Sequence, residues 1–251
     1  MRIFGAVRGE KVYYLSRVAT KIMARSDIIE ILSIMNIRKH IVLGSLLLAG
    51  LAIASCSKDD EAVKDQGVKV AYDSHAVDLG LPSGLKWSDQ NLGADSPEEY
   101  GEYYAWGSIE PLSSFDSESY YAEVDVKNIP ANYSGNVKFD PVARNIGGEW
   151  RTPNYGEIRE LMNNTTPEWT TVNGVKGLKL TGSNGNSIFI PAGGQKSGDV
   201  TTKVGFQGTL WSSSQDSGYE GFGLAGIVNA AGFGGTGGYG YIGYNVRPVR
   251  K

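Results

Sequence analysis

A short apolar segment placed directly before a cysteine limits which part of this chain can fold. Residues 41–54 form an almost continuous apolar run of 14 residues, which ends in small residues close to Cys56, the one cysteine of the sequence. A helix of that length is too short for a hydrocarbon core about 30 Å thick, but it matches the apolar region of a signal peptide. Arg38 and Lys39 supply the basic flank that precedes such regions. We therefore predict that residues 35–55 are a signal peptide and are removed.

The four residues that end at Cys56 indicate how this cysteine is used. Residues 53–56, Ile-Ala-Ser-Cys, resemble the lipobox of signal peptidase II substrates. In those proteins the cysteine thiol receives a diacylglyceryl group, and the cysteine becomes the first residue of the mature chain. The resemblance implies that Cys56 is lipidated and that its lipid holds the protein on a membrane without spanning it. The alternative is a buried structural cysteine that follows an apolar strand.

The sequence also indicates the nature of the segments that precede and follow the predicted signal peptide. Residues 1–34 fit no signal-peptide N-region and are interpreted as an over-extended gene start, with a genuine N-terminal helix as the alternative. Residues 56–75 are interpreted as an acidic tether. The start of this tether resembles the tag that sends lipoproteins of Bacteroidetes bacteria to the outside of the outer membrane. The tag residues are Ser57, Lys58, Asp59, Asp60 and Glu61. The alternative is that they form only a solvated linker.

Charge and composition restrict the partners of the mature chain. From Cys56 onward the sequence holds 16 Lys and Arg against 24 Asp and Glu, a net charge near −8. Residues 89–125 alone carry ten acidic residues and no Lys or Arg. Nucleic acids and other polyanions require a basic surface, so we predict that they are not partners. The aromatic content is typical of a folded chain, and residues 76–251 have the length of one domain.

Turn-bounded runs of alternating or β-branched residues predict several short strands. The strongest hairpin signal is Asn184-Gly185, which separates two such runs. Two strands are expected within residues 77–87, on either side of a Pro-Ser-Gly turn at residues 82–84, and further strands at residues 175–181, 187–190, 210–212, 222–228 and 244–250. The 16 glycines of residues 193–243 predict a long Gly-rich loop region.

Two helices are predicted among these strands, and together they indicate an α+β fold. They are expected to begin at Ser96-Pro97 and at Thr152-Pro153, where a hydroxyl residue precedes proline. The second helix places four apolar side chains on one face and is expected to end at Asn163-Asn164. These side chains are Tyr155, Ile158, Leu161 and Met162.

Five segments of the domain occur in an order that is characteristic of a known family. They are VDLGLPSGLKW, YGEYYAWG, GGEWRTP, LWSSS and VRPVR, at residues 77–87, 100–107, 147–153, 210–214 and 246–250. In these motifs the chain resembles the Fibrobacter succinogenes major paralogous domain, a family frequent in lipoproteins of gut Bacteroidetes. The resemblance covers residues 76–251 and implies a C-type lectin-like fold. In that fold the first and last strands pair, here residues 79–87 with residues 244–250. A fold of this kind does not by itself decide function.

Catalytic and metal-binding chemistry finds little support in the sequence. The chain has neither the Glu-Pro-Asn or Gln-Pro-Asp loop nor the Trp-Asn-Asp strand of calcium-dependent lectins. His75 is the one histidine after Cys56. A zinc site would therefore have no second histidine and no cysteine of the domain as ligands. In a Ser–His–Asp site, His75 would have to be the catalytic base. Hydrolysis by a pair of carboxylates is not excluded, and its candidate residues are Glu98, Glu99, Glu102, Glu110 and Asp116. We predict a protein without metal, cofactor or enzymatic activity.

Side chains inside the family motifs are interpreted as structural, and those outside them as candidate ligand contacts. The structural ones are Tyr104, Trp106, Trp150, Arg151 and Arg247. The candidate contacts are Tyr120, Tyr121, Gln195, Lys196, Asp199, Gln215, Asp216, Tyr219, Tyr239 and Tyr241. Aromatic side chains combine a large apolar face with a polar group, which suits sugar rings. We predict a binding or adhesion domain for a neutral glycan or a protein ligand. The alternative is a structural or accessory envelope lipoprotein that binds no glycan.

Overall fold

The computed structural model describes residues 72–251, whose first and last strands meet in one small sheet. Strand β1 (Ala76–Asp78) pairs antiparallel with β2 (Lys86–Ser88), and β2 also pairs with β11 (Val249–Arg250). The predicted strand–turn–strand and the pairing of the two ends are therefore confirmed, but β11 covers only the last two residues of the strand predicted at residues 244–250. The predicted gene start, signal peptide, lipidation site, export tag and most of the tether lie outside the described residues.

Three α-helices lie between β2 and the next strand, and one predicted helix is wrong. The helices are α1 (Ser117–Glu123), α2 (Pro141–Asn145) and α3 (Tyr155–Asn164), with a 3-10 turn at Val126–Asn128. Residues 96–100 form turns instead of a helix. Gly101 explains this, because its φ of +69° is incompatible with a right-handed helix, and only a few residues precede it. A Cβ at Gly101 would lie 2.5 Å from the Leu92 carbonyl oxygen.

Helix α3 is the confirmed helix, but its N-cap is Asn154 rather than Thr152. The Asn154 side chain accepts a hydrogen bond from the Glu157 N–H (3.0 Å), and Glu157 Oε2 accepts one from the Asn154 N–H (2.8 Å). This capping box satisfies two donors that the first turn would otherwise leave unpaired. Ile158 and Leu161 are fully buried, as the spacing predicts, and the helix packs against β8 and β9.

The next three strands form a second antiparallel sheet in the order β3-β4-β5. They are β3 (Thr165–Val172), β4 (Val175–Gly182) and β5 (Ser187–Pro191). The predicted hairpin around Asn184-Gly185 is confirmed, with Gly185 at a φ of +86°. Strand β3 was not predicted, because Pro167 and Glu168 make its sequence read as a loop.

The Gly-rich region is mostly strand, so the prediction of a long loop there is wrong. A two-stranded ribbon of β6 (Gln195–Ser197) and β7 (Val200–Thr202) is followed by a sheet in the order β10-β9-β8. Its strands are β8 (Gln207–Gln215), β9 (Phe222–Asn229) and β10 (Gly232–Tyr239). The glycines allow close packing: a Cβ at Gly235 would lie 2.0 Å from the Tyr155 hydroxyl, and one at Gly223 would lie 2.4 Å from the Trp106 ring.

Aromatic side chains from the motifs fill the core between these sheets. Tyr104 and Trp106 are buried, which confirms their structural interpretation. Four tryptophans are almost fully buried, namely Trp87, Trp106, Trp150 and Trp211. Arg151 makes a bidentate pair with Glu157 at 2.8 and 2.6 Å, and Arg247 is entirely buried. The short antiparallel sheets and few helices confirm an α+β fold.

Candidate binding site

An open cleft of about 300 Å³ brings together aromatic residues that lie far apart in the sequence. Its lining residues are Tyr121, Tyr219, Glu220, Gly221, Phe222, Tyr239 and Tyr241, and we call it the tyrosine cleft. Four of these are tyrosines that the sequence marked as ligand candidates. Tyr121 comes from α1, whereas the others come from the loop before β9 with the first residue of β9, and from the last residue of β10 with the turn that follows it.

Two glycines bring the two aromatic segments of the tyrosine cleft into contact. The Gly240 N–H donates to the Gly221 carbonyl oxygen at 2.7 Å, and the Gly240 carbonyl accepts from the Trp106 N–H at 2.8 Å. A Cβ at Gly240 would lie 2.3 Å from the Tyr120 hydroxyl. Only glycine therefore fits this position, and its fit fixes Tyr239 and Tyr241 beside the loop that carries Tyr219.

Four aromatic rings of the tyrosine cleft form a row in which each ring contacts the next. Tyr239 and Tyr241 are stacked, with ring centroids 5.2 Å apart, and Phe222 meets Tyr239 edge-on at 5.3 Å. Tyr219 extends this row, with its ring centroid 5.9 Å from that of Phe222. Despite these contacts, Tyr121, Tyr219 and Tyr239 are 65, 70 and 60% exposed. Such a continuous exposed aromatic surface is typical of a ligand-binding site.

Tyr120 was predicted as a ligand contact, and that prediction is wrong. Its side chain is 1% exposed, and its hydroxyl donates to the Trp106 carbonyl oxygen at 2.8 Å. Burial raises the Tyr120 pKa well above its usual value. Because helical neighbours point in different directions, only one residue of the Tyr120-Tyr121 pair can face the core. Tyr120 therefore supports the packing beneath the tyrosine cleft, and Tyr121 lines it.

Gln215 and Asp216 hold the loop of the tyrosine cleft and are not among its lining residues. The Asp216 N–H donates to the Phe222 carbonyl oxygen at 2.9 Å, which closes the loop. The Asp216 carboxylate accepts from the Gly218 N–H at 3.2 Å. Gln215 Nε2 donates to the Tyr219 carbonyl oxygen at 3.4 Å. Both side chains thus position Tyr219, a role that differs from the predicted ligand contact.

The remaining candidates lie on the β6–β7 ribbon, outside the lining of the tyrosine cleft. The side-chain Oε1 of Gln195 accepts from Lys203 Nζ at 3.3 Å, and Lys196 Nζ lies 5.1 Å from the centroid of the Phe115 ring. Asp199 is exposed in the turn between the two strands. The structure therefore does not bring these three residues together with the tyrosines. An exposed aromatic side chain that the sequence analysis did not select, Phe206, lies after this ribbon and is 76% exposed.

A second cleft, of about 410 Å³, adjoins the tyrosine cleft and shares Tyr121 with it. Glu123, Asp125 and Lys127 are its charged lining residues. Glu123 accepts hydrogen bonds from the backbone N–H and hydroxyl of Ser113, and Asp125 accepts from Asn128 Nδ2 at 3.0 and 2.9 Å. Since these partners are neutral, they leave the negative charge of both carboxylates in place.

Among the residues considered for catalysis, His75, Glu98 and Asp116 have structural partners. His75 Nδ1 lies 2.9 Å from Asp89 Oδ1, and the Asp89 N–H donates to the His75 carbonyl, so this pair joins the ends of β1 and β2. Glu98 accepts from Asn173 Nδ2 at 2.6 Å, and Asp116 caps α1. Between residues 72 and 251, no three histidine, cysteine or carboxylate side chains are grouped so that they could hold a metal ion.

Glu220 and Phe222 are members of the tyrosine cleft that the sequence analysis did not select. A usable signal was present, because both aromatic segments interleave aromatic residues with glycine, as Tyr-Glu-Gly-Phe at 219–222 and Tyr-Gly-Tyr at 239–241.

No family model, curated protein or solved structure matches the chain. Within the described part of the chain, no helix has the length and apolarity needed to cross a membrane.

Proposed function

We propose that this protein is a lipid-anchored protein of the outer membrane whose domain binds a carbohydrate at the tyrosine cleft. The anchor is the lipid on Cys56, and residues 57–61 direct the protein to the cell surface. Binding, rather than catalysis, is the role of the domain, and adhesion to glycan-bearing surfaces is its consequence.

The convergence of exposed tyrosines is the observation that carries this proposal. Four tyrosines and Phe222 come from three separate segments of the chain and meet around one cleft. Leaving this much aromatic surface in water is unfavourable unless a ligand covers it. Tyrosine suits a carbohydrate because its ring packs on the apolar face of a sugar while its hydroxyl exchanges hydrogen bonds. The volume of about 300 Å³ matches a small ligand site.

We also propose that the domain belongs to the Fibrobacter succinogenes major paralogous domain family and has a C-type lectin-like fold. The ordered motifs of the sequence support this assignment. The antiparallel pairing of β2 with β11, close to the C-terminus, is in keeping with it. The proposed carbohydrate site does not depend on the family, because it rests on the side chains of the cleft.

A glycan array tests the proposed site. The detergent-extracted, full-length protein is expected to bind at least one neutral or cationic glycan, to ignore heparin and to be unaffected by EDTA. Tyr239→Ala should weaken that binding about tenfold, because a stacked aromatic contributes roughly 1 kcal/mol or more beyond its buried area. Phe206→Ala is the control, since it removes another largely exposed aromatic side chain, which lies outside the cleft.

Three results would count against the carbohydrate site. Binding to heparin that weakens with salt would show that the charge argument selects the wrong ligand class. Loss of binding in EDTA would indicate a metal site in its place. Absence of any glycan ligand, together with recovery of an envelope protein during purification, would favour the accessory role.

A further inference from the structure

The tyrosine cleft contains one carboxylate and no cationic lining residue. Glu220 lies between Tyr219 and Gly221, and it is the charged member of the lining. Its side chain is exposed, and no hydrogen bond or ion pair engages its carboxylate within residues 72–251. The carboxylate is therefore free to contact a ligand that occupies the cleft.

Aromatic rings and a carboxylate together favour a positively charged group. The face of an aromatic ring attracts a cation, with about 0.5–1 kcal/mol at exposed sites. Tyr219 and Phe222 line the same cleft as Glu220, with their ring centroids 5.9 Å apart, so a cation bound in the cleft has both aromatic rings and a carboxylate among its lining groups. The adjoining cleft adds the charges of Glu123 and Asp125 on the far side of Tyr121, partly offset by Lys127.

We propose that the preferred ligand is an amino sugar with a free primary ammonium group, such as a glucosamine residue of a de-N-acetylated polysaccharide. This inference rests on the proposed carbohydrate site and names its ligand class. The sugar ring packs on the stacked Tyr239 and Tyr241, and the ammonium group faces Glu220. Both contacts are needed, which distinguishes this ligand from a neutral sugar and from a lysine side chain.

The ring contact favours a sugar over a lysine-bearing peptide. Tyr239 stacks on Tyr241 and is 60% exposed, and both line the same cleft as Glu220, so the exposed part of the Tyr239 ring offers an apolar surface to a sugar in that cleft. A hexosamine carries its ammonium group on a rigid ring that covers this surface. A lysine side chain offers a flexible stem and loses more conformational entropy when it binds.

The test compares two trisaccharides that differ only in acetylation. The full-length protein in detergent is titrated with the glucosamine trimer and with the N-acetylglucosamine trimer, at a pH that keeps the amine protonated. We expect the glucosamine trimer to bind about fivefold more tightly. Glu220→Gln should weaken binding of that trimer about threefold and so reduce the difference in affinity between the two trimers. An unchanged melting temperature of this variant would show that the fold is intact.

The outcomes separate this inference from the proposed function. Equal affinity for the two trimers, weakened in both cases by Tyr239→Ala, overturns the amino-sugar preference and keeps the carbohydrate site. No binding of either trimer or of any array glycan overturns both. Tighter binding of a trilysine peptide than of the glucosamine trimer also overturns the preference and points to a protein ligand.

Discussion

Tyr239 and Tyr241 stack across Gly240, with their ring centroids 5.2 Å apart and their planes 10° from parallel. The stack exists because Gly240 packs its backbone against Gly221 and the Tyr120 hydroxyl, where no side chain fits. A change at Gly240 should therefore disturb the ligand site more than a change of an exposed tyrosine would. Gly240→Ala is expected to reduce glycan binding at least as much as Tyr239→Ala and to lower the melting temperature. Gly218→Ala is the control, because a Cβ there meets nothing closer than 3.8 Å.

Trp150 joins the two ends of the domain, and its loss should strongly destabilise the domain. The ring is 1% exposed, its Nε1 donates to Asp73 Oδ1 at 2.8 Å, and Arg250 lies over it at 5.8 Å. Trp150→Ala is expected to cost about 3–5 kcal/mol of unfolding free energy. Urea denaturation followed by circular dichroism measures this cost. A loss below about 1 kcal/mol, the usual size for a point mutation, would contradict the buried role of this side chain.

Arg247 is a buried cation whose partners are neutral oxygens. Its guanidinium donates to Asn91 Oδ1 at 2.9 Å, to the Ser88 carbonyl at 3.1 Å and to the Phe189 carbonyl at 2.9 Å. Burial lowers its pKa to about 10. Arg247→Met should lose about 3 kcal/mol or more, because it leaves three buried acceptors unpaired. Arg159→Met, at an exposed position of α3, should change stability by less than about 0.5 kcal/mol.

Buried tyrosines predict how the domain responds to alkaline pH. Burial raises the Tyr103 pKa to about 12 and raises that of Tyr104 and Tyr133 as well. An unfolded tyrosine loses its proton near pH 10, so between pH 10 and 12 the unfolded state binds fewer protons than the folded state. Stability is therefore complete below pH 10 and falls as the pH rises through this window. Tyrosinate absorbance and circular dichroism should change together. Ionisation of Tyr103, Tyr104 and Tyr133 near pH 10 in a protein that stays folded would refute the prediction.

The lipid anchor is a prediction from the sequence alone. Mass spectrometry of the membrane-extracted protein is expected to show an acylated N-terminus at Cys56, and Cys56→Ala should abolish it.

Replacement of residues 58–61 by alanine should keep the lipid but remove access to protease in intact cells. Unchanged proteolysis of that variant would mean that these residues are only a linker. A mature protein that retains residues 1–55 would contradict the whole assignment.

Local sequence signals predicted the elements whose formation depends on neighbouring residues. Asn184-Gly185 predicted its hairpin, and the spacing of Ile158 and Leu161 predicted the buried face of α3. The signal at Ser96-Pro97 failed because a helix needs several consecutive helical residues, and Gly101 ends the run. Local signals of this kind decide secondary structure only where the following residues agree with them.

Tertiary contacts explain what the sequence missed. The glycines of β10 read as a loop because their role, close packing against Tyr155 and other side chains, involves residues distant in the sequence. Tyr120 and Tyr121 read alike, and only the direction of α1 separates the buried ring from the exposed one. Of the candidate contacts, Tyr121, Tyr219, Tyr239 and Tyr241 meet in the cleft, where the Gly221–Gly240 hydrogen bond joins the segment of Tyr219 to that of Tyr239 and Tyr241.

NMR mapping of a bound glycan tests the central claim most directly. The protein, with labelled tyrosine and phenylalanine rings, is saturated with its strongest array ligand, and the ring signals are compared with those of the free protein. The proposed site predicts that the largest shifts fall on Tyr219, Phe222, Tyr239 and Tyr241. Tyr133, which is buried in the core, is the internal control. Shifts centred on Phe206, with the four cleft rings unchanged, would contradict the tyrosine cleft as the binding site.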